Sequence, residues 1–164
     1  MRVEISAIEA TDDAVICNII KAVGVEYGAV GEGFGPADAE VMNMSRFYLT
    51  KQSSLYLIAR LEGEIVGGCG IAPFNSSKEV CELRKLFLLP AARGLGIGKK
   101  LTQACLDHAQ AAGFQQCYLD TLSTMKKAIC LYAGLGFAPL SSPLAGTIHG
   151  RCDVWMLKNL ELHV

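Results

Sequence analysis

Glu82-Leu-Arg-Lys-Leu-Phe-Leu-Leu-Pro-Ala-Ala-Arg-Gly-Leu-Gly-Ile-Gly-Lys-Lys-Leu101 reads as strand, glycine loop and helix in succession. Leu83 to Leu89 is apolar with its charges confined to the start, the pattern of a strand buried on both faces. Pro90 ends it, since proline cannot donate to a ladder. Gly94, Gly96 and Gly98 then free the backbone for conformations that a β-carbon forbids. From Lys99 the period becomes helical: Leu101, Ala104, Cys105, His108 and Ala112 share one face, and Gly113 stops the run. A glycine loop that opens a helix aims bare N–H groups at one point, where the helix dipole also favours an anion. Arg93 and Lys99 bring positive side chains to the same place. The stretch predicts a phosphate or pyrophosphate cradle; the competing reading is a strand-to-helix turn with no ligand.

Two common nucleotide loops fail here. The mononucleotide loop Gly-x-x-x-x-Gly-Lys-Ser/Thr is not met, because Lys100 follows Gly98-Lys99 and Arg93 stands where the first glycine belongs. The dinucleotide fingerprint Gly-x-Gly-x-x-Gly puts Lys99 or Leu101 in its last place. What is met is Arg93-x-x-Gly96-x-Gly98, which resembles the acyl-CoA pyrophosphate loop of the GNAT N-acetyltransferase superfamily. A second stretch, Ala128-Ile-Cys-Leu-Tyr-Ala-Gly-Leu-Gly-Phe137, is similar to another feature of that family, a helix that carries Leu-Tyr and ends at Gly-Phe. The two occur in the family's order with a strand between them, and the match covers about residues 54 to 140.

The rest of the chain is read in the same way. Its 164 residues suit one domain, 1–164, with a sizeable core. Half of them are apolar and the net charge is −1, which excludes a disordered chain and argues against a nucleic-acid surface. No apolar run is long enough for a membrane span, and the first residues lack the apolar core of a signal peptide, so a cytoplasmic location is expected. Seven scattered cysteines without a Cys-x-x-Cys pair read as reduced, mostly buried small apolar residues. His149-x-x-Cys152 lacks a second ligand pair, so no metal is expected.

Val3 to Ile8 predicts a strand, and Thr11 a cap for a helix whose stripe is Val15, Ile16, Ile19, Ile20 and Val23, ended by Gly24. Tyr27 to Pro36 is a glycine-rich loop, and Asp38 to Leu49 a predicted helix, together a candidate lid. Leu55 to Ala59 and Ile65 to Ile71 form a hairpin about Glu62-Gly63; Gly67, Gly68 and Gly70 indicate a bulge or a close backbone approach. Gln116 to Thr121 completes a βαβ unit with a parallel pair. Ser123 or Thr124 is expected to cap the next helix, and strands follow near Phe137 to Leu140 and Asp153 to Leu157. These elements, with the resemblance, predict an α/β (α+β) fold: a mixed, mostly antiparallel sheet of about seven strands, a splayed central parallel pair, and helices on both faces.

The resemblance implies an acetyl-CoA-dependent N-acyltransferase acting on a primary amine of a small molecule or peptide by direct transfer, with acetyl-CoA as cosubstrate. It places the pantetheine arm against the backbone of Leu86, Phe87 and Leu88, and the pyrophosphate on the loop Arg93, Gly94, Leu95, Gly96, Ile97, Gly98 and Lys99. Lys126 or Lys127 would meet the ribose phosphate. Tyr132 would protonate the departing thiolate; its alternative is a core tyrosine. Glu82 would be the base, with a strand-end charge or a water chain as alternatives. The Leu88 amide would bind the oxyanion. Met125 stands where the family often has asparagine, which leaves one cofactor hydrogen bond open. Cys81 and Cys117 are possible nucleophiles, though the family transfers acetyl directly. A non-catalytic acyl-CoA-binding regulatory module is the alternative function. Acidic Glu32, Asp38 and Glu40 point to a cationic acceptor, and the last strands allow a homodimer.

Overall fold

In the computed structural model, which describes residues 1–161, the strands β1 (Val3–Ala7), β2 (Leu55–Leu61), β3 (Glu64–Pro73), β4 (Val80–Leu88), β5 (Gln116–Thr121), β6 (Ala138–Leu140) and β7 (Val154–Asn159) make one seven-stranded sheet. Their order is β1-β2-β3-β4-β5-β7-β6, and only the β4–β5 pair is parallel. The predicted α/β class and mixed sheet are therefore present.

Alternation on β2 assigns the two faces. Leu57 and Ala59 join a core with Leu101, Cys105 and Ala109 of helix α3 (Ile97–Ala111) and Tyr132 of helix α4 (Lys126–Gly134). Tyr56 and Ile58 join the other core, with Ile16, Ile19, Ile20 and Val23 of helix α1 (Asp13–Glu26) and Met44 of the single-turn α2 (Met44–Phe47). Each buried aliphatic side chain contributes roughly 1.5–3 kcal/mol over its exposed state, so the sheet is held from both sides.

One residue reverses this alternation in β4. Cys81 and Leu83 face the α3 core, yet Phe87, of the same parity, faces the α1 core. Between them Lys85 has φ +53°, and the register with β3 slips between Gly68↔Phe87 and Gly70↔Arg84. This is a β-bulge on β4, and the tyrosine hydroxyl of Tyr56 donates to the Lys85 carbonyl at 2.8 Å. The three glycines of β3 fit the close approach expected of them. A Cβ on Gly67 would lie 2.1 Å from the Phe87 oxygen, and those on Gly68 and Gly70 would meet the Tyr56 ring.

The parallel pair holds for only three steps, Val80↔Gln116, Cys81↔Cys117 and Glu82↔Tyr118. Beyond Glu82 both strands continue, but they no longer pair with each other, and a gap opens toward Leu88 and Thr121. The Leu89 N–H bonds the Val66 carbonyl at 2.8 Å, toward β3. Strand groups alternate in direction, so the Leu88 N–H faces the gap.

Several local expectations are corrected. Residues 38–49 are not one helix: a 3₁₀ segment, Ala39–Asn43, is separated from α2 by Asn43 at φ −141°, ψ 51°. Helix α1 is preceded not by a Thr11 cap but by a 3₁₀ turn closed by reciprocal Glu9 and Asp12 contacts. It also runs two residues past Gly24, whose missing side chain makes room for Pro36, 2.7 Å from where a Cβ would stand. Ser123 and Thr124 do not cap α4. Ser123 bonds Asp153 through N–H and Oγ, and Thr124 Oγ1 donates to the Tyr27 carbonyl, which leaves Met125 at the helix start.

Candidate active site

Two cavities meet at the gap. The first is a cleft lined by Leu86, Phe87 and Leu88 of β4, by the glycine loop, and by Ala128 and Leu131 of α4. Gly94 (φ +77°) and Gly96 (φ +80°) turn the chain through left-handed conformations into α3. The Lys100 N–H is the first to bond back, to the Gly96 carbonyl at 3.1 Å, so the N–H groups of Ile97, Gly98 and Lys99 form the open start of the helix. Arg93, Gly94, Gly96, Ile97, Gly98 and Lys99 line the cleft, while Leu95 is turned outward. Lys127 lines it too; Lys126 does not.

Arg93 lines the cleft, but its positive charge is already partnered. Its guanidinium bonds the Leu88 carbonyl (3.1 and 2.9 Å) and the Glu26 carboxylate (2.6 Å), and lies over the Tyr27 ring at 5.3 Å. It staples the loop to β4 and to the end of α1.

The second cavity lies on the α1 side of the sheet. Leu83 to Phe87 and Leu119 to Leu122 form its floor; Phe34, Gly35 and Pro36, with His149 and Cys152, cover it. Leu86, Phe87 and Met125 line both cavities, and Tyr132 reaches the second one from α4. Burial pushes the Tyr132 phenol well above its ordinary value, so it is a neutral O–H donor at working pH. Met125, in the place of the family's asparagine, accepts from Thr121 Oγ1 at 3.3 Å.

Charges surround this cavity. The Arg84 Nε donates to Glu82 at 2.6 Å. The Lys85 ammonium, nearly fully buried, reaches Asp38 at 2.8 Å and Glu40 at 3.4 Å. His149 lies with Nε2 2.7 Å from Asp38 and Nδ1 2.7 Å from Asp120, and Asp120 also accepts from Thr147 at 2.5 Å. Burial opposes the charge on His149, but the hydrogen bonds it donates to Asp120 and Asp38 overcome this and push the imidazole up to about 10. Glu82 moves upward from the usual carboxylate range because burial outweighs the Arg84 guanidinium.

Glu82 does not itself line the cavity; Asp120 and His149 do. Donor atoms of the three lie within 4.8 Å of one another, a spacing that a cation could also use. Both His149 nitrogens are hydrogen-bonded to carboxylates, however, and Glu82 is held by Arg84, so the set closes as an ion network. Cys81 and Cys117 are fully buried, and burial raises the Cys117 thiol, so neither is an accessible nucleophile. Sequence reading had singled out Glu82, Asp38 and His149 separately. It missed Arg84, Lys85 and Asp120, whose one available signal was charge inside otherwise apolar strands.

Among the described residues no helix is long and apolar enough to cross a membrane. A family model described as the acetyltransferase (GNAT) family matches residues 27–137. The chain is 39% identical over 151 residues to the uncharacterized N-acetyltransferase YjgM of Escherichia coli (strain K12), which covers 91% of this chain and 90% of that one. Its fold is that of a GNAT-family acetyltransferase from Staphylococcus aureus Mu50, with a TM-score of 0.84, 19% identity, and coverage of 98% and 100%. It is also that of YncA, a putative acetyltransferase from Salmonella typhimurium solved with its cofactor acetyl-CoA, with a TM-score of 0.78, 22% identity, and coverage of 100% and 97%. A split parallel pair with a glycine loop at its mouth, a family model across the body of the chain and a relative matched over nine-tenths of it agree: this chain belongs to the GNAT acetyltransferase family.

Proposed function

We propose that the protein transfers the acetyl group of acetyl-CoA directly to a primary amine. The observation that carries this reading is the parting of β4 from β5 after Glu82, with an anion cradle on one side, a charged cavity on the other, and Leu86, Phe87 and Met125 shared between them. The Salmonella protein holds acetyl-CoA on the same fold.

The open N–H groups of Gly96 to Lys99 suit a pyrophosphate, and Lys127 is within the same cleft for a ribose phosphate. The gap-facing edge of Leu86 to Leu88, apart from the Leu88 carbonyl that Arg93 holds, suits the amides of a pantetheine arm, bound as an added strand would be. Its Leu88 N–H would receive the oxyanion that forms when the amine attacks the thioester carbonyl.

An ammonium has no lone pair, so its proton must leave first. Glu82, with its raised affinity for a proton, takes it through water beside Asp120 and His149. The new C–N bond forms, the C–S bond breaks as Tyr132 gives its proton to the departing thiolate, and the second proton shed by the attacking nitrogen returns to Tyr132, so the phenol is restored. The products are an acetylated amine and free CoA thiol. Asp38, Glu40, Glu82 and Asp120 exceed their partners Arg84, Lys85 and His149 by one charge, and that excess favours an acceptor that arrives as a cation.

Thiol release from acetyl-CoA against a panel of primary amines tests the reading. Amine-dependent release with a matching mass gain of one acetyl group on the amine supports it. Tight acetyl-CoA binding with no release on any amine would return the protein to an acyl-CoA-binding module.

A further inference from the structure

The ion network has a geometry that the transfer reaction does not by itself require. Lys85 lies on β4 and Asp120 on β5, the two strands that have lost their mutual hydrogen bonds. Between them the order is Lys85, Asp38, His149, Asp120: cation, anion, cation, anion, each contact 2.7 or 2.8 Å. An ionised carboxylate only accepts hydrogen bonds, so with one on each ring nitrogen His149 must donate from both and is an imidazolium. Side chains thus close across the split what the backbone leaves open.

His149 belongs to the segment 141–152, and Asp38 to the segment 27–47 that follows α1. The same two segments touch twice more. The Arg151 N–H bonds the Gly33 carbonyl at 3.3 Å, and its guanidinium lies 5.2 Å from the centre of the Phe34 ring. Gly33 is tight against Arg151, whose Cγ stands 2.7 Å from where a Cβ would be. Phe34, Gly35, His149 and Cys152, from these segments, cover the second cavity.

We propose that His149 is a positioning residue of the acceptor site, a clasp between Asp38 and Asp120 that fixes the width of the cavity admitting the amine. This rests on reading the cavity as the acceptor site. His149 touches no reacting atom in this scheme. It sets where Asp120 and the covering residues stand, and thereby which amines fit and how near Glu82 they come. Removing the ring leaves two half-buried carboxylates without their shared cation, Asp38 keeping Lys85 and Asp120 keeping only the hydroxyls of Thr147 and Tyr118, so the cover should lift.

The test uses His149→Gln, which can bridge only weakly and without charge, His149→Ala, and Asp38→Asn, each checked for folding by its melting curve. The probe is the amine with the highest wild-type turnover in the panel. Expected for His149→Gln is a KM for that amine raised roughly tenfold or more, with acetyl-CoA affinity within about twofold of wild type. Tryptic cleavage after Arg46 and Arg151 should accelerate in His149→Ala. In wild type at pH 8, nitrogen-edited NMR should show two ring N–H signals from His149, and Asp38→Asn should weaken the one at Nε2. An unchanged amine KM with unchanged cleavage, or a fall in both substrates' kcat/KM in step with lost folded protein, would overturn the clasp. Were no amine acetylated by wild type, the transferase reading would fall, while the ring N–H signals and the cleavage rates would still decide whether His149 holds the two segments together.

Discussion

The cleft beside the glycine loop is built mostly from backbone and aliphatic side chains that lie close together in the chain, residues 86–99 and 125–131. The cavity across the split has a largely apolar lining, but the charged side chains in it, Arg84, Lys85, Asp120 and His149, come from three separate segments, and Asp38, outside the lining and on a fourth, bridges Lys85 and His149. The difference follows from what each would hold. Backbone N–H groups recognise a phosphate through local geometry alone, and local geometry is written in glycine spacing. Buried charges need partners of opposite sign, and partners come from wherever the fold brings them.

Replacing Gly96 by aspartate should have the largest effect, because it strikes the backbone-built side at its centre. At φ +80° a side chain is strained, and a carboxylate at an anion site repels the ligand. Acetyl-CoA binding measured by calorimetry should vanish while the melting curve persists. Retained affinity in a folded variant would remove the cradle from the argument.

Tyr132→Phe tests the seam between the two cavities. It removes one oxygen and leaves the ring's contact with Phe137, at 5.8 Å, in place. General-acid catalysis contributes on the order of 10² to 10⁴ in rate, and kcat should fall in that range with KM for acetyl-CoA little changed. Normal turnover with a changed melting temperature would make Tyr132 a core residue only.

Glu82→Gln moves to the charge-built side and should cost less at high pH than at neutral pH. Burial raises Glu82 above the usual carboxylate range, so wild-type kcat/KM should lose activity as pH falls through that raised value. The variant should be slow at neutral pH, on the order of 10², and recover toward wild type as free amine becomes abundant. A loss that stays constant with pH would assign Glu82 to holding Arg84.

The same contrast explains what was legible beforehand. Strand, loop and helix around residues 82–113 follow from apolar runs and glycines whose effect is local, and there the expected parallel pair was found. The bulge at Lys85 was not readable on β4 itself, since a lysine gives no sign of left-handed φ; only the glycines opposite it on β3 hinted at it. Residues 38–49 misled because their apolar residues recur at helical spacing, whereas the side chain of Asp38 is drawn to Lys85 and His149 and Asn43 breaks the run. His149 stood out as half of a metal-ligand pair, but its partners, Asp38 and Asp120, lie 111 and 29 residues away.

The effect with the smallest change per step, a few degrees for each pH unit, concerns the stability that this charge-built side lends. His149 titrates near 6.5 in an unfolded chain and at about 10 when held by Asp120 and Asp38. The folded protein therefore binds the proton more tightly than the unfolded one. The stabilisation is complete below pH 6.5, declines as pH rises through the interval, and is gone above about 10. One proton changes stability by at most about 1.4 kcal/mol per pH unit, and 1 kcal/mol moves the melting temperature by roughly 2–4 °C in a domain of this size. Lys85, Arg84, Tyr118 and Cys152 are shared by wild type and His149→Gln, so subtracting the two melting temperatures reports the imidazole together with Asp38, Asp120 and Glu82, the carboxylates its charge acts on. That difference should be widest near pH 6 and shrink by a few degrees per unit toward pH 10. A difference that stays flat or widens with pH would mean that the folded network takes up no extra proton, leaving His149 neutral between two ionised carboxylates, and the alternating chain of charges across the split would have to be redrawn.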